Sequence, residues 1–188
     1  MTRATFLTHA EVEIDPDVPV PDWGLNAAGQ ARHIAHAATD DVANVSVVFA
    51  SAERKAMEGA APAAHRHGLR VRVRPALHEN DRSSTGYLPP DEFERTADRF
   101  FAEPDESVRG WERARDAQAR ILAATRAALT EPRDPGDVLI VAHGAVGALL
   151  RCHLLGIAIT RAEDQPRAGC AFDFPPTLDG APGPWRPI

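Results

Sequence analysis

The chain has 188 residues, 44% apolar and 26% charged, which is enough for one domain around a sizeable core and unlike a disordered segment. Its formal charge of −6 argues against non-specific nucleic-acid binding, and no apolar run approaches the roughly 20 residues of a membrane helix. Two cysteines, Cys152 and Cys170, cannot make a disulfide framework, and the stretch after Met1-Thr2-Arg3 is too brief for a signal peptide, so a cytoplasmic location is expected.

In chain order, Ala4-Thr5-Phe6-Leu7-Thr8 reads as a buried strand ending at His9. Pro16, Pro19 and Pro21 then enforce an extended loop. Asn26 is placed to cap a helix whose apolar stripe is Ala27, Ala31, Ile34, Ala35 and Ala38. Val45 to Ala50 is a second buried strand, and Ser51 is read as the cap of a helix through Ala56, Ala60 and Ala64. Leu69, Val71 and Val73 alternate with Arg70, Arg72 and Arg74, the pattern of an outer strand with one solvated face. Two helical stripes follow, Phe93-Ala97-Phe100-Phe101 and Trp111-Ala114-Ile121-Leu129. Val138 to Ala142 is a third buried strand running into His143-Gly144 and a helix bearing Val146, Leu149, Leu150 and Leu154, with Gly156 as its stop. The tail has room for one or two short edge strands. With no repeat and no linker, residues 1–188 are expected to form a single domain.

Strands alternating with helices imply an α/β fold: a three-layer sandwich of a mostly parallel central sheet with helices on both faces. Ligands of such sheets collect at the carboxyl ends of the strands. Three strands here run directly into polar chemistry. They deliver His9, then Ser51 with Arg54 and Lys55, then His143-Gly144. Helix N-termini and cations beside two imidazoles make an anion site, and a neutral imidazole can be a nucleophile toward phosphorus. A carboxyl group must protonate the departing alcohol, and Glu79 in Leu77-His78-Glu79-Asn80 is the candidate. His33 with His36, and His65 with His67, have no third ligand at a usual spacing, so no metal is expected.

On these motifs the chain resembles the histidine phosphatase superfamily, the phosphoglycerate mutase-like proteins. Phe6-Leu7-Thr8-His9-Ala10-Glu11 is similar to the family's opening Arg-His-Gly motif, and Trp23 to Ala31 to the start of its first helix. Ala50 to Ala56 resembles the Ser-x-x-x-Arg-Ala segment, Leu77-His78-Glu79 the motif of the acid, and Glu106-Ser107 a pair before the long helix. Val138 to Gly144 resembles the second histidine motif. The resemblance implies a phosphoglycerate mutase-like fold and a phosphohistidine mechanism. His9 is then the nucleophile, Glu79 the acid and base, and His143 the stabiliser of the transferred group. No metal or organic cofactor is implied, and the partner is a small phosphorylated molecule or phosphate.

Two departures stand out. Thr8 occupies the place of the family's first arginine, and Lys55, in a gapless reading, that of the second. Lysine is a point charge without the bidentate fork of a guanidinium. Losing such a donor at a developing anion costs about 10²–10³ in rate. Arg54, Arg82 and the Gly144 turn are the further substrate-binding candidates, and Lys55→Arg is expected to raise the rate or tighten phosphate binding if Lys55 sits in the pocket. The expected function is a phosphomonoester hydrolase, weakened by Thr8 and Lys55. The alternative is a degenerate phosphate- or nucleotide-binding protein of the same fold; a mutase fits less well, for want of a lid. The motifs leave substrate identity and oligomeric state open.

Overall fold

A computed structural model describes residues 2–188. Its strands are β1 (Ala4–Thr8), β2 (Val45–Ala50), β3 (Val71–Val73), β4 (Asp137–Ala142), β5 (Cys170–Phe174) and β6 (Arg186–Pro187). They form one sheet in the order β3-β2-β4-β1-β5-β6. The first four are mutually parallel, whereas β5 runs against β1 and β6 against β5. The long helices are α1 (Ala27–Ala37), α2 (Arg54–Arg66), α3 (Pro90–Ala102), α4 (Ala114–Thr130) and α5 (Gly144–Leu154).

Every residue of β1 and β4 is buried, as continuous apolar runs in the middle of a parallel sheet require. Alternate side chains part to the two faces. Phe6, Val138 and Ile140 pack with Ile121 and Leu129 of α4 and with Val146 and Leu150 of α5. Leu7, Leu139 and Val141 pack with Ala37 of α1 and with Ala56, Ala60 and Ala63 of α2. Each such large side chain contributes about 1.5–3 kcal/mol by leaving water, so the paired β1 and β4 are the rigid spine of the fold. A third cluster joins Phe100 and Phe101 of α3 to Trp111, Ala114 and Leu149, and stands α3 over the carboxyl end of the sheet.

Asn26 caps α1 as expected, its side chain accepting the Gly29 N–H at 2.9 Å. The expected stripe of α1 is overturned: Ala27, Ala31, Ile34, Ala35 and Ala38 all face outward, Ile34 being 61% exposed. Gly29, His33, His36 and Ala37 face inward instead. The reason is backbone approach. A Cβ on Gly29 would lie 2.2 Å from the Glu11 carbonyl oxygen, so only glycine fits there and that contact sets the roll of the helix. β3 is shorter than the alternating run, and Arg72 within it and Arg74 just after it pair with Glu131 over the Phe49 ring, a solvated outer edge. The tail supplies two short strands. No helix among the described residues is long and apolar enough to cross a membrane.

Candidate active site

The parallel register of β1 and β4 pairs Thr8 with Ala142, so His9 and His143 leave neighbouring strands side by side. The His9 N–H donates to the Ala142 carbonyl at 3.1 Å, and the two rings stand edge to face with centroids 5.3 Å apart. His9 Nδ1 lies 2.9 Å from the Ala10 carbonyl oxygen. A carbonyl only accepts, so Nδ1 carries the proton and Nε2 keeps a free lone pair. Burial lowers the His9 pKa to about 4, so the ring is neutral at pH 7. His143 is fully buried, and burial drives its pKa well below the usual imidazole value.

Glu79 follows a short turn anchored by Leu77, which is wholly inside the core. Its carboxylate caps α5, accepting the N–H groups of Asn80 at 3.1 Å, Val146 at 3.2 Å and Ala145 at 3.3 Å. Burial nevertheless raises its pKa, which suits a proton donor, while the helix N-terminus stands ready to stabilise the carboxylate left behind. Arg82 follows, its guanidinium 4.9 Å over the Phe93 ring. His9, Glu79, Asn80, Arg82, Gly144 and Gln165 share one cleft of about 550 Å³, walled by aromatic side chains of the α3 cluster.

The end of β2 differs from expectation. Helix α2 starts at Arg54 with Glu53 at the cap, and Ser51 Oγ only accepts the Glu53 N–H, so Ser51 is not the cap. Arg54 does not enter the site. Its side chain is 64% exposed and pairs with Glu58 at 2.8 Å. Successive helical residues point about 100° apart, so an inward Lys55 forces Arg54 outward. Lys55 is only 2% exposed, and its Nζ donates to the Val20 carbonyl at 2.8 Å and to Glu53 at 2.5 Å. It reaches the site through Glu53 rather than lining the cleft. Thr8 turns aside, donating to Gln165 Oε1 at 2.5 Å and accepting the Cys170 N–H at 2.9 Å. Gly144 leaves space for the same glutamine, since a Cβ there would lie 2.5 Å from Gln165 Nε2.

Three further residues join the site. Glu53 is buried, its Oε1 accepting the Glu79 N–H at 2.8 Å and lying 3.4 Å from His143 Nε2. Burial works to raise the Glu53 pKa, but the Lys55 ammonium and the Glu79 N–H outweigh it and hold the carboxyl below the usual carboxylate range. Asn80 is 5% exposed, and its Nδ2 has no hydrogen-bond partner among the described residues. His33 Nε2 accepts the Ala10 N–H at 3.0 Å, and burial lowers its pKa to about 3. Glu53 and Asn80 stand inside or beside the motif segments, and proximity in sequence was their only signal. His33 had none beyond its spacing from His36.

Comparison with known proteins follows the same lines. A family model described as the histidine phosphatase superfamily, branch 1, matches residues 6–172. No curated protein matches the sequence. Among solved structures, a mycobacterial glucosyl-3-phosphoglycerate phosphatase superposes with TM-score 0.76 at 21% identity over 99% of this chain and 96% of its own. The same protein has been solved with inorganic phosphate and with VO3. YhfR of Bacillus stearothermophilus superposes with TM-score 0.76 at 19% identity, over 98% of this chain and 95% of its own. At such identities these structures speak for the fold. With the family model spanning most of its length, and paired histidines at the ends of β1 and β4, the chain belongs to the histidine phosphatase superfamily.

Proposed function

We propose that the protein hydrolyses a small phosphomonoester through a phosphohistidine on His9. The observation that carries this reading is the His9 tautomer: Nδ1–H is given to the Ala10 carbonyl, leaving Nε2 a lone pair in a cleft that also holds Glu79. Nε2 attacks phosphorus, the bond to the ester oxygen breaks, and Glu79 passes its proton to that oxygen. In the second half, water attacks phosphorus, Glu79 takes the proton, and the P–N bond breaks to release phosphate and neutral His9. Arg82, Arg161 and Arg167 line the same cleft as His9 and Glu79, and the His143 ring flanks the nucleophile.

A second reading, a phosphate-binding protein without turnover, is favoured by one observation. The hydroxyl of Thr8, where relatives of this type carry an arginine, is committed to Gln165 and Cys170. Assays with an aryl phosphate and an alkyl phosphate separate the two. The wild-type protein is expected to turn over both, with phospho-His9 trapped by rapid quench and seen by mass spectrometry, and His9→Ala to abolish both activities. Glu79→Gln is expected to cost about 10²–10⁴ on the alkyl ester and less on the aryl ester, whose leaving group needs no proton. Turnover surviving His9→Ala overturns the mechanism. Phosphate binding without turnover by the wild type selects the second reading.

A further inference from the structure

Gln165 touches both histidine turns. Its Oε1 accepts the hydroxyl of Thr8, the residue before His9, at 2.5 Å. Its Nε2 lies against Gly144, the residue after His143, so closely that a Cβ there would be 2.5 Å away. Thr8 decides which way the amide points. Its oxygen accepts the Cys170 N–H at 2.9 Å, which leaves its own proton for the carbonyl end of the glutamine and turns the amino end the other way. That amino end has no hydrogen-bond partner among the described residues, and Gln165 lines the cleft with His9 and Glu79. The loop holds it there. Pro166 confines the backbone of Gln165 to the extended region, and the Gln165 N–H is given to Asp164 at 2.8 Å. Arg161 ties the loop to α3 through Glu94 and Asp98, both at 2.5 Å. Arg82 and Arg167, whose guanidinium groups are unpaired among the described residues, supply positive charge to the same cleft. Gln165 differs from them in being fixed at its far end, between the two histidine turns. A donor fixed in advance needs no reorganisation when charge develops.

We infer that Gln165 is a catalytic residue of the phosphoryl transfer, its Nε2–H donating to a non-bridging oxygen of the group bound at His9, and that Thr8 is its positioning residue. The inference rests on the phosphoryl reading above. Together the pair answers for the arginine missing before His9: the donor is neutral, comes from a distant part of the chain and is held in place by a hydroxyl.

A double-mutant cycle tests the point, followed as kcat/KM on an aryl phosphate and as the dissociation constant of inorganic phosphate by calorimetry. Gln165→Ala is expected to lower kcat/KM about 10–10²-fold and to weaken phosphate in the same direction, because a hydrogen bond to a charged group is lost. Thr8→Val keeps the shape of the side chain and releases the amide. It is expected to cost about tenfold in the wild type and less than about twofold once Gln165 is alanine. Thr8→Val also strands the Cys170 N–H, but that cost is equal in both backgrounds and cancels in the cycle, so a merely structural role for Thr8 would leave its effect the same in each. Thr8→Ser restores a hydroxyl and should recover most of what Thr8→Val loses. Gln165→Glu keeps an acceptor for Thr8 but turns a carboxylate toward the anion, and should be worse than Gln165→Ala. A Gln165→Ala protein within about twofold of wild type in both measurements, or an equal cost of Thr8→Val in both backgrounds, overturns the inference and leaves the phosphatase reading standing on phospho-His9. If the wild type binds phosphate without turnover, the phosphate affinities of the same four proteins decide the inference by the same criterion. A wild type that neither turns over the ester nor binds phosphate overturns both.

Discussion

His33 is a positioning residue whose removal should separate activity from stability. Its Nε2 receives the N–H of Ala10, and the carbonyl of Ala10 in turn receives Nδ1–H of His9. His33→Leu keeps the bulk of the side chain and removes the acceptor. Ala10 is 0% exposed, so its N–H cannot turn to water, and leaving it unpaired costs about 1–3 kcal/mol. The opposite sign comes from His33 Nδ1, itself a buried group without a partner among the described residues, whose loss offsets part of that cost. Net stability should therefore fall by no more than about 2 kcal/mol. Activity has no such offset. With the Ala10 backbone released, the imidazole of His9 loses its fixed orientation, and a misplacement of about 1 Å costs on the order of 10²-fold. Thermal melting should thus show a small shift, while steady-state kinetics on folded protein show kcat down by about 10² with KM little changed. His33→Gln, whose side-chain carbonyl can accept the same N–H, should recover much of the loss. A His33→Leu protein with kcat within about twofold of wild type would refute the relay.

Two further predictions follow from the buried charges and imidazoles. Lys55→Arg, expected from sequence to raise the rate, should instead destabilise the protein by about 1–3 kcal/mol without tightening phosphate, because a larger group is forced into a sealed socket made by Glu53 and Val20; a faster and equally stable variant would contradict that socket. His9 and His33 have pKa values lowered by burial to about 4 and about 3, against 6.5 for the free side chain. The unfolded chain therefore binds more protons between those limits, and stability is intact above about pH 6.5 and declines as pH falls toward 4 and below. Melting curves from pH 7.5 to 4 should show this decline, made shallower in His33→Leu, and an equal slope in both proteins would argue against a neutral buried His33.

Much of the chemistry was legible in the chain because strand ends are local events. An apolar run that stops at a polar residue delivers that residue to the sheet's carboxyl edge, and so His9 and His143 could be read before their meeting was known. The same holds for Asn26, whose cap is a contact between residues three apart. The roll of α1 was not legible, since it is decided by the approach of Gly29 to Glu11 and of the His33 ring to Gly59, where a Cβ would lie 2.8 Å from that ring. Nor was the choice between Arg54 and Lys55, adjacent cations whose fates differ by one step around a helix. Which charges cancel is likewise a long-range matter: Glu53 faces Lys55, His143 and Glu79 together only because three segments converge. Local patterning determined which side chains reach the edge of the sheet. Tertiary packing alone decided their protonation and charge, because burial and the identity of the opposing group set both.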